Sequence, residues 1–159
     1  VRLLENPSSP LALPGAISLA RHDAIHVLLG RGLSSQDEAF VIGFTMGATR
    51  AVRPWQRALF RWAARHFYPR PYAFRPQDLT AFDLGFDAGS SGRARDLHLQ
   101  PLEMMGDVQL GRLRQHLGID VNRLHAIYST EQLLLPDTRP SRRLPRLCGG
   151  PNPSLTLPP

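Results

Sequence analysis

Lysine is missing altogether: every one of the 19 basic residues in this 159-residue chain is an arginine. Set against 13 carboxylates, they leave a net charge of +6. Planar guanidinium groups suit phosphate and carboxylate partners, so nucleic acid, an anionic membrane and an acidic substrate all stay open. Cysteine is nearly missing too, and the single one, Cys148, lies in a Gly/Pro-rich tail. That excludes a disulfide framework and a cysteine-based zinc site, so any metal must be held by histidines and carboxylates. No apolar run approaches the ~18 residues that cross a bilayer, and the N-terminus lacks the basic, apolar and small-residue order of a signal peptide. The expected location is cytoplasmic, with at most a peripheral attachment to the inner membrane. A Gly-rich phosphate loop, a flavin fingerprint and a Ser/His/Asp arrangement are absent as well, which removes the commonest alternatives in nucleotide and acyl chemistry.

What is present reads as helix. A hydrophobic content of 42% supports one modest core, and almost nothing alternates with period two. After a proline-rich arm, "ENPSSPLALPG", the residues Ile17, Ala20, Ala24, Val27 and Leu28 recur at helical spacing from Ala16 to Leu29, with Gly30 as the stop. Ser35 followed by Glu38 has the form of a capping box opening a second helix through "AFVIGFTMGA". A third helix follows Pro54 and runs to the "YPRPY" break, and a fourth follows Pro76 through "QDLTAFDLGFDAG" to a "GSSGR" loop. The segments "VQLGRLRQHLG" and "VNRLHAIYSTEQLLL" supply a fifth and a sixth. The expectation is an all-α, single-domain helical bundle over residues 1–135, without internal repeat. A disordered Pro/Arg-rich tail over 136–159 has too few apolar residues to offset its own ordering.

The first helix carries the chemistry. His22 and His26, four residues apart, share one face and can aim both imidazoles at one point. Asp23 sits about a hundred degrees around the same helix, placed to reach an ion from the side or to orient an imidazole from behind. Glu38, in the first turn of the next helix, would add a carboxylate from across the hairpin. Two nitrogens with one or two oxygens and an open position suit zinc or another borderline divalent ion in a catalytic site. Beside this stands a plainer reading, in which the histidine pair is incidental and Glu38 only caps its helix with Ser35. A zinc peptidase is disfavoured, because the residue after the first histidine is Asp23 where that pattern needs a glutamate base.

His22-Asp23, two residues, His26, then eleven residues and Glu38 resembles the signature of the coenzyme Q (ubiquinone) biosynthesis family of Coq-four proteins. "HDAIHVLLG" is similar to it beyond the ligands, through Leu28, Leu29 and Gly30, and "LRQHLGI" is similar to a late segment of the family. This chain reads Asp37-Glu38 where the family carries Gly-Glu and a following lysine. The resemblance implies a helical, membrane-associated fold that holds long lipid tails. It also implies one divalent metal, usually zinc, on His22, Asp23, His26 and Glu38 as catalytic ligands. The implied activity is loss of the carboxyl group from ring carbon one of a polyprenylated hydroxybenzoate, with hydroxylation there also proposed. A divalent ion suits that chemistry, since it can neutralise the carboxylate and accept charge developing on the ring oxygens. The runner-up is a noncatalytic prenyl-lipid-binding scaffold for other enzymes of the quinone pathway. Expected partners are a prenylated quinone precursor, an anionic membrane surface, other quinone-biosynthesis proteins and a second copy of the chain.

Arg50, Arg53, Arg57, Arg61 and Arg65 recur at intervals of three and four, with Trp55, Leu59, Trp62 and Phe67 in other sectors. With Arg53, Arg57, Arg61 and Arg65 facing headgroups, that helix would lie on an anionic bilayer; otherwise it is a solvated basic face with its aromatics in the core. "FDLGFD" pairs Asp83 with Asp87, an acidic outer face answering those arginines. Met104 and Met105 are expected to fill core gaps. His66, His98, His116 and His125 lack ligand spacing and read as structural or surface residues. "VQLGRLRQHLGIDVNRLHAIY" imitates a helix-turn-helix, but its second helix offers only Arg123, and the tail arginines Arg139, Arg142, Arg143 and Arg146 give attraction without specificity. No specific nucleic-acid partner is expected.

Overall fold

The computed structural model describes residues 18–66 and 73–145. Every regular element among them is helical, as the missing period-two pattern requires: α1 (Leu19–Leu29), α2 (Ser35–Gly47), α3 (Pro54–His66), α4 (Pro76–Ser91), α5 (Leu110–His116), α6 (Val121–Leu134) and α7 (Arg139–Arg143), with two 3-10 turns at Leu97–Leu99 and Leu102–Met104. Gly30 ends α1 in the left-handed region at φ 65°, and the amides of Gly30 and Arg31 donate to the carbonyls of Val27 and His26. Only glycine takes that backbone cheaply, so the tight turn into α2 begins there.

The bundle is organised around α2 and α4. A Cβ added to Gly43 would stand 2.1 Å from the carbonyl oxygen of Phe82, and one on Gly85 would stand 2.2 Å from that of Phe40. Gly47 and Gly89 repeat the arrangement one turn on, against the carbonyls of Phe86 and Phe44. The partners advance together, so the two helices run parallel, backbone against backbone, as only glycine permits. This contact is written twice in the chain. "AFVIGFTMG" at 39–47 and "AFDLGFDAG" at 81–89 share Ala-Phe-x-x-Gly-Phe-x-x-Gly. The expected lack of an internal repeat is thereby corrected. It also explains why α4 continues to Ser91, through the glycine read as its stop: Gly89 is there for close approach.

Phe40, Phe44, Phe60, Phe82, Leu97 and Tyr128 form the centre of the core, with Phe60 stacked on Phe82 at 4.9 Å and Phe40 edge-on to Tyr128 at 5.5 Å. The α6 helix turns Leu124, Tyr128 and Glu131 inward, at spacings of four and three. The expected start of disorder at residue 136 is corrected over 136–145: α7 docks with Ser141 and Leu144 buried, and Ser141 Oγ accepts from the side chain of Gln36 at 2.7 Å. Polar contacts, with Leu144 as the one apolar anchor, secure this segment, which a count of hydrophobic side chains does not register. Residues 146–159, including Arg146 and Cys148, lie outside the described residues, as do the proline-rich arm and Phe67.

Candidate metal centre

The α1–α2 hairpin brings three of the four expected ligands together. The rings of His22 and His26 lie 4.7 Å apart, edge to face. Glu38 spans both, with Oε1 2.9 Å from His22 Nε2 and Oε2 3.1 Å from His26 Nε2. One ligand atom from each residue falls within 4.8 Å of the others. The fourth, Asp23, does not join them. Its carboxylate is 63% exposed and stands 3.9 Å from His22 Nδ1, because its position on α1 turns it away from α2.

The other nitrogen of His26 fixes its tautomer. Nδ1 lies 2.8 Å from the Gly32 carbonyl oxygen, which can only accept, so Nδ1 carries the hydrogen and donates it. In a neutral imidazole, Nε2 is then a bare lone pair facing a carboxylate oxygen. Acceptor meets acceptor, and the gap calls for a proton or a cation. Burial pushes the Glu38 carboxyl up, but with that proton supplied, so that both imidazoles donate to it, hydrogen bonds and charge from His22 and His26 outweigh burial and bring its pKa down to about 2. Glu38 is therefore ionised across the neutral range. A backbone-oriented imidazole, a second imidazole and an ionised carboxylate make a donor set that fits a borderline divalent cation. His26 is buried, whereas Glu38 keeps about a third of its side chain exposed, so the centre is reached from one side.

Glu38 is free for this because it is not the capping residue. The box lies one residue earlier than expected: the Asp37 amide donates to Ser34 Oγ at 3.2 Å, and the Ser34 amide donates to Asp37 Oδ2 at 3.2 Å. "SSQDE" contains two such pairs in adjacent registers, and the choice between them decides which carboxylate faces α1. The plainer reading of Glu38 loses its basis.

The arginine stripe divides. Arg57 pairs with Asp83 at 2.8 Å and Asp87 at 3.0 Å, and Arg61 also pairs with Asp83, so these two cross to α4 and the expected acidic face answers them. Arg53 and Arg65 are exposed. The aromatics are not in the core: Trp55, Leu59 and Trp62 are 59%, 41% and 52% exposed, while Gln56, Phe60 and Ala64 face inward. Met104 is exposed rather than filling a gap, and Met105 packs at the core edge. His98 lies beside Thr49, and burial holds its pKa below the ordinary value. Across the apparent helix-turn-helix, Arg114 donates to the Leu28 carbonyl and Arg123 to Ser91, and α5 has only seven residues. Comparison of the chain with family models, with curated proteins and with solved structures finds no match.

Proposed function

We propose that this protein holds one divalent ion, with zinc as the first candidate, between His22, His26 and Glu38. We further propose that it acts on a prenylated hydroxybenzoate in ubiquinone biosynthesis, as its resemblance to the Coq-four family implies. The observation that carries the metal is the carboxylate of Glu38 set against the Nε2 atoms of two imidazoles, one of which, His26, has its Nδ1 proton committed to the Gly32 carbonyl. The substrate class rests on the motif resemblance.

Bound there, a divalent ion supplies neutralisation of the benzoate carboxylate and stabilisation of charge developing on the ring. The chain's own part is geometric. His26 is locked by its backbone hydrogen bond, Glu38 is placed by the Ser34–Asp37 cap, and His22 and Glu38 line the accessible side. The carbon–carbon bond to the carboxyl group breaks with its electron pair passing to ring carbon one, which takes a proton as carbon dioxide leaves. Asp23, outside the cluster and 3.9 Å from His22 Nδ1, is given no ligand role. The exposed Trp55, Leu59 and Trp62, with Arg53 and Arg65 beside them, support an anionic membrane surface as the place where a prenylated substrate is met.

The test uses metal-loaded protein and a prenylated hydroxybenzoate labelled at the carboxyl carbon, with and without oxygen. Labelled carbon dioxide should be released by the wild type and not by His26→Ala or Glu38→Gln. Lipid binding without release, from protein confirmed to hold its ion, would transfer the reading to the noncatalytic scaffold.

A further inference from the structure

The turn between the two ligand-bearing helices contains a fully buried arginine. Arg31 follows Gly30 directly, and its side chain has no exposure. Its guanidinium makes two parallel hydrogen bonds to Glu131 on α6, at 2.9 and 3.1 Å, and Glu131 is equally buried. Arg31 Nε stands 3.3 Å from Asp37 Oδ1, an ion-pair contact too bent for a hydrogen bond. The guanidinium also lies over the Phe40 ring at 4.3 Å. Around this pair, Gln36 donates to Glu131 at 2.6 Å, Arg143 of α7 reaches Asp37 at 3.0 Å, and the Tyr128 hydroxyl donates to the Leu29 carbonyl.

Stability alone does not account for so much buried charge. Desolvating an arginine and two carboxylates costs about what their attraction returns, and a well-packed apolar replacement is commonly as stable or more so. What the network does is fix positions. Arg31 is the neighbour of Gly32, whose carbonyl orients His26, and Asp37 is the neighbour of Glu38. Both ends of the ligand hairpin are thus tied to one carboxylate on α6, 100 residues along the chain.

We propose that Arg31 and Glu131 are positioning residues of the metal centre: through Gly32 and Asp37 they hold His26 and Glu38 in the geometry that binds the ion. The inference rests on the metal-centre reading and adds the elements that enforce it. Partners that orient metal ligands from outside the coordination shell typically change affinity by about 10- to 100-fold when removed.

The experiment titrates cobalt(II), whose visible absorption reports ligand geometry, into the full chain as wild type, as the double variant Arg31→Met/Glu131→Leu, and as Phe60→Leu. The double variant removes the charges of Arg31 and Glu131 while keeping the core filled, and leaves Asp37 paired with Arg143. Phe60→Leu loosens the core between α3 and α4 without touching the hairpin. The double variant should stay folded, bind cobalt about 10- to 100-fold more weakly and show an altered spectrum at saturation. Phe60→Leu should lose stability and keep both affinity and spectrum. Wild-type affinity and spectrum in the folded double variant would overturn the positioning role while leaving the centre intact. Absence of cobalt binding by the wild type would overturn the centre and this inference together. Should the double variant not fold, Glu131→Gln, which removes the carboxylate charge facing Arg31 while keeping the side chain's size, makes the same comparison. Unchanged cobalt affinity and spectrum there would equally overturn the proposal.

Discussion

Glu38 can face two imidazoles because the neighbouring carboxylate, Asp37, caps the helix and meets the buried arginine. The two adjacent acids should therefore behave oppositely when changed. Glu38→Gln should abolish metal binding and cost no more than about 1 kcal/mol in the metal-free protein, the range of a partly exposed ion pair. Asp37→Ala loses a cap, roughly 1 kcal/mol, and also removes one partner of a buried arginine, a kind of loss that reaches about 3–5 kcal/mol. Urea unfolding in chelator, paired with elemental analysis, separates the two; equal destabilisation by both would return Glu38 to a capping role. Acid gives a second reading of the same residue. Its folded pKa of about 2 lies below the ordinary 4.5, so its pairing stabilises the fold above pH 4.5, and that contribution fades as pH falls through about 2. In chelator the wild-type urea midpoint should drop across that window more steeply than that of Glu38→Gln. The pair His22 and His26 was legible from spacing, since four residues is one helical face. The cap was not, because "SSQDE" satisfies the pattern in two registers, and the partners that Asp37 finds in Arg31 and Arg143 come from elsewhere in the fold.

The α2–α4 seam makes the strongest demand on any element. A methyl group on Gly43 or Gly85 would fall inside the backbone of the opposite helix. Either Ala substitution should therefore push the helices apart and cost at least the ~1–3 kcal/mol of an overpacked core, far outweighing alanine's better helix propensity. Gly111 offers the control: within α5 a Cβ there meets nothing within 4 Å, so Gly111→Ala should be neutral or stabilise by about 0.5–1 kcal/mol. Thermal unfolding of Gly43→Ala, Gly85→Ala and Gly111→Ala decides this, and a stable Gly43→Ala would mean that the helices do not meet as described. Six of the helices were legible as apolar periodicity bounded by Gly and Pro. The doubled Ala-Phe-x-x-Gly-Phe-x-x-Gly was equally present in the letters, but glycines count as breakers when helix ends are sought, which hides their use as contacts. The polar α7 gave no periodic signal, since its order comes from Ser141, Arg143 and their partners across the fold.

For the molecule as a whole, the question is whether any surface suits a membrane. No helix of the described residues is long and apolar enough to cross one. The α3 helix instead presents Trp55, Leu59 and Trp62 outward in one stripe, four and three residues apart, in a chain of net charge +6. Its arginines do not act alike. Arg57 and Arg61 spend their charge on Asp83 and Asp87, whereas Arg53 and Arg65 are exposed beside the aromatic stripe. If this face lies on an anionic bilayer, the indoles enter the headgroup layer and the exposed arginines meet phosphates, so both contribute to binding. Trp55→Ser/Trp62→Ser should then abolish co-sedimentation with vesicles containing anionic lipid. Arg53→Gln/Arg65→Gln should weaken it about tenfold or more, at roughly 1 kcal/mol per basic residue, and high salt should do the same to the wild type. Arg57→Glu should act elsewhere, lowering stability by setting like charges against Asp83 and Asp87. Sedimentation of the double serine variant with anionic vesicles as fully as the wild type would remove α3 as the membrane face, and with it the route by which a prenylated substrate is proposed to arrive.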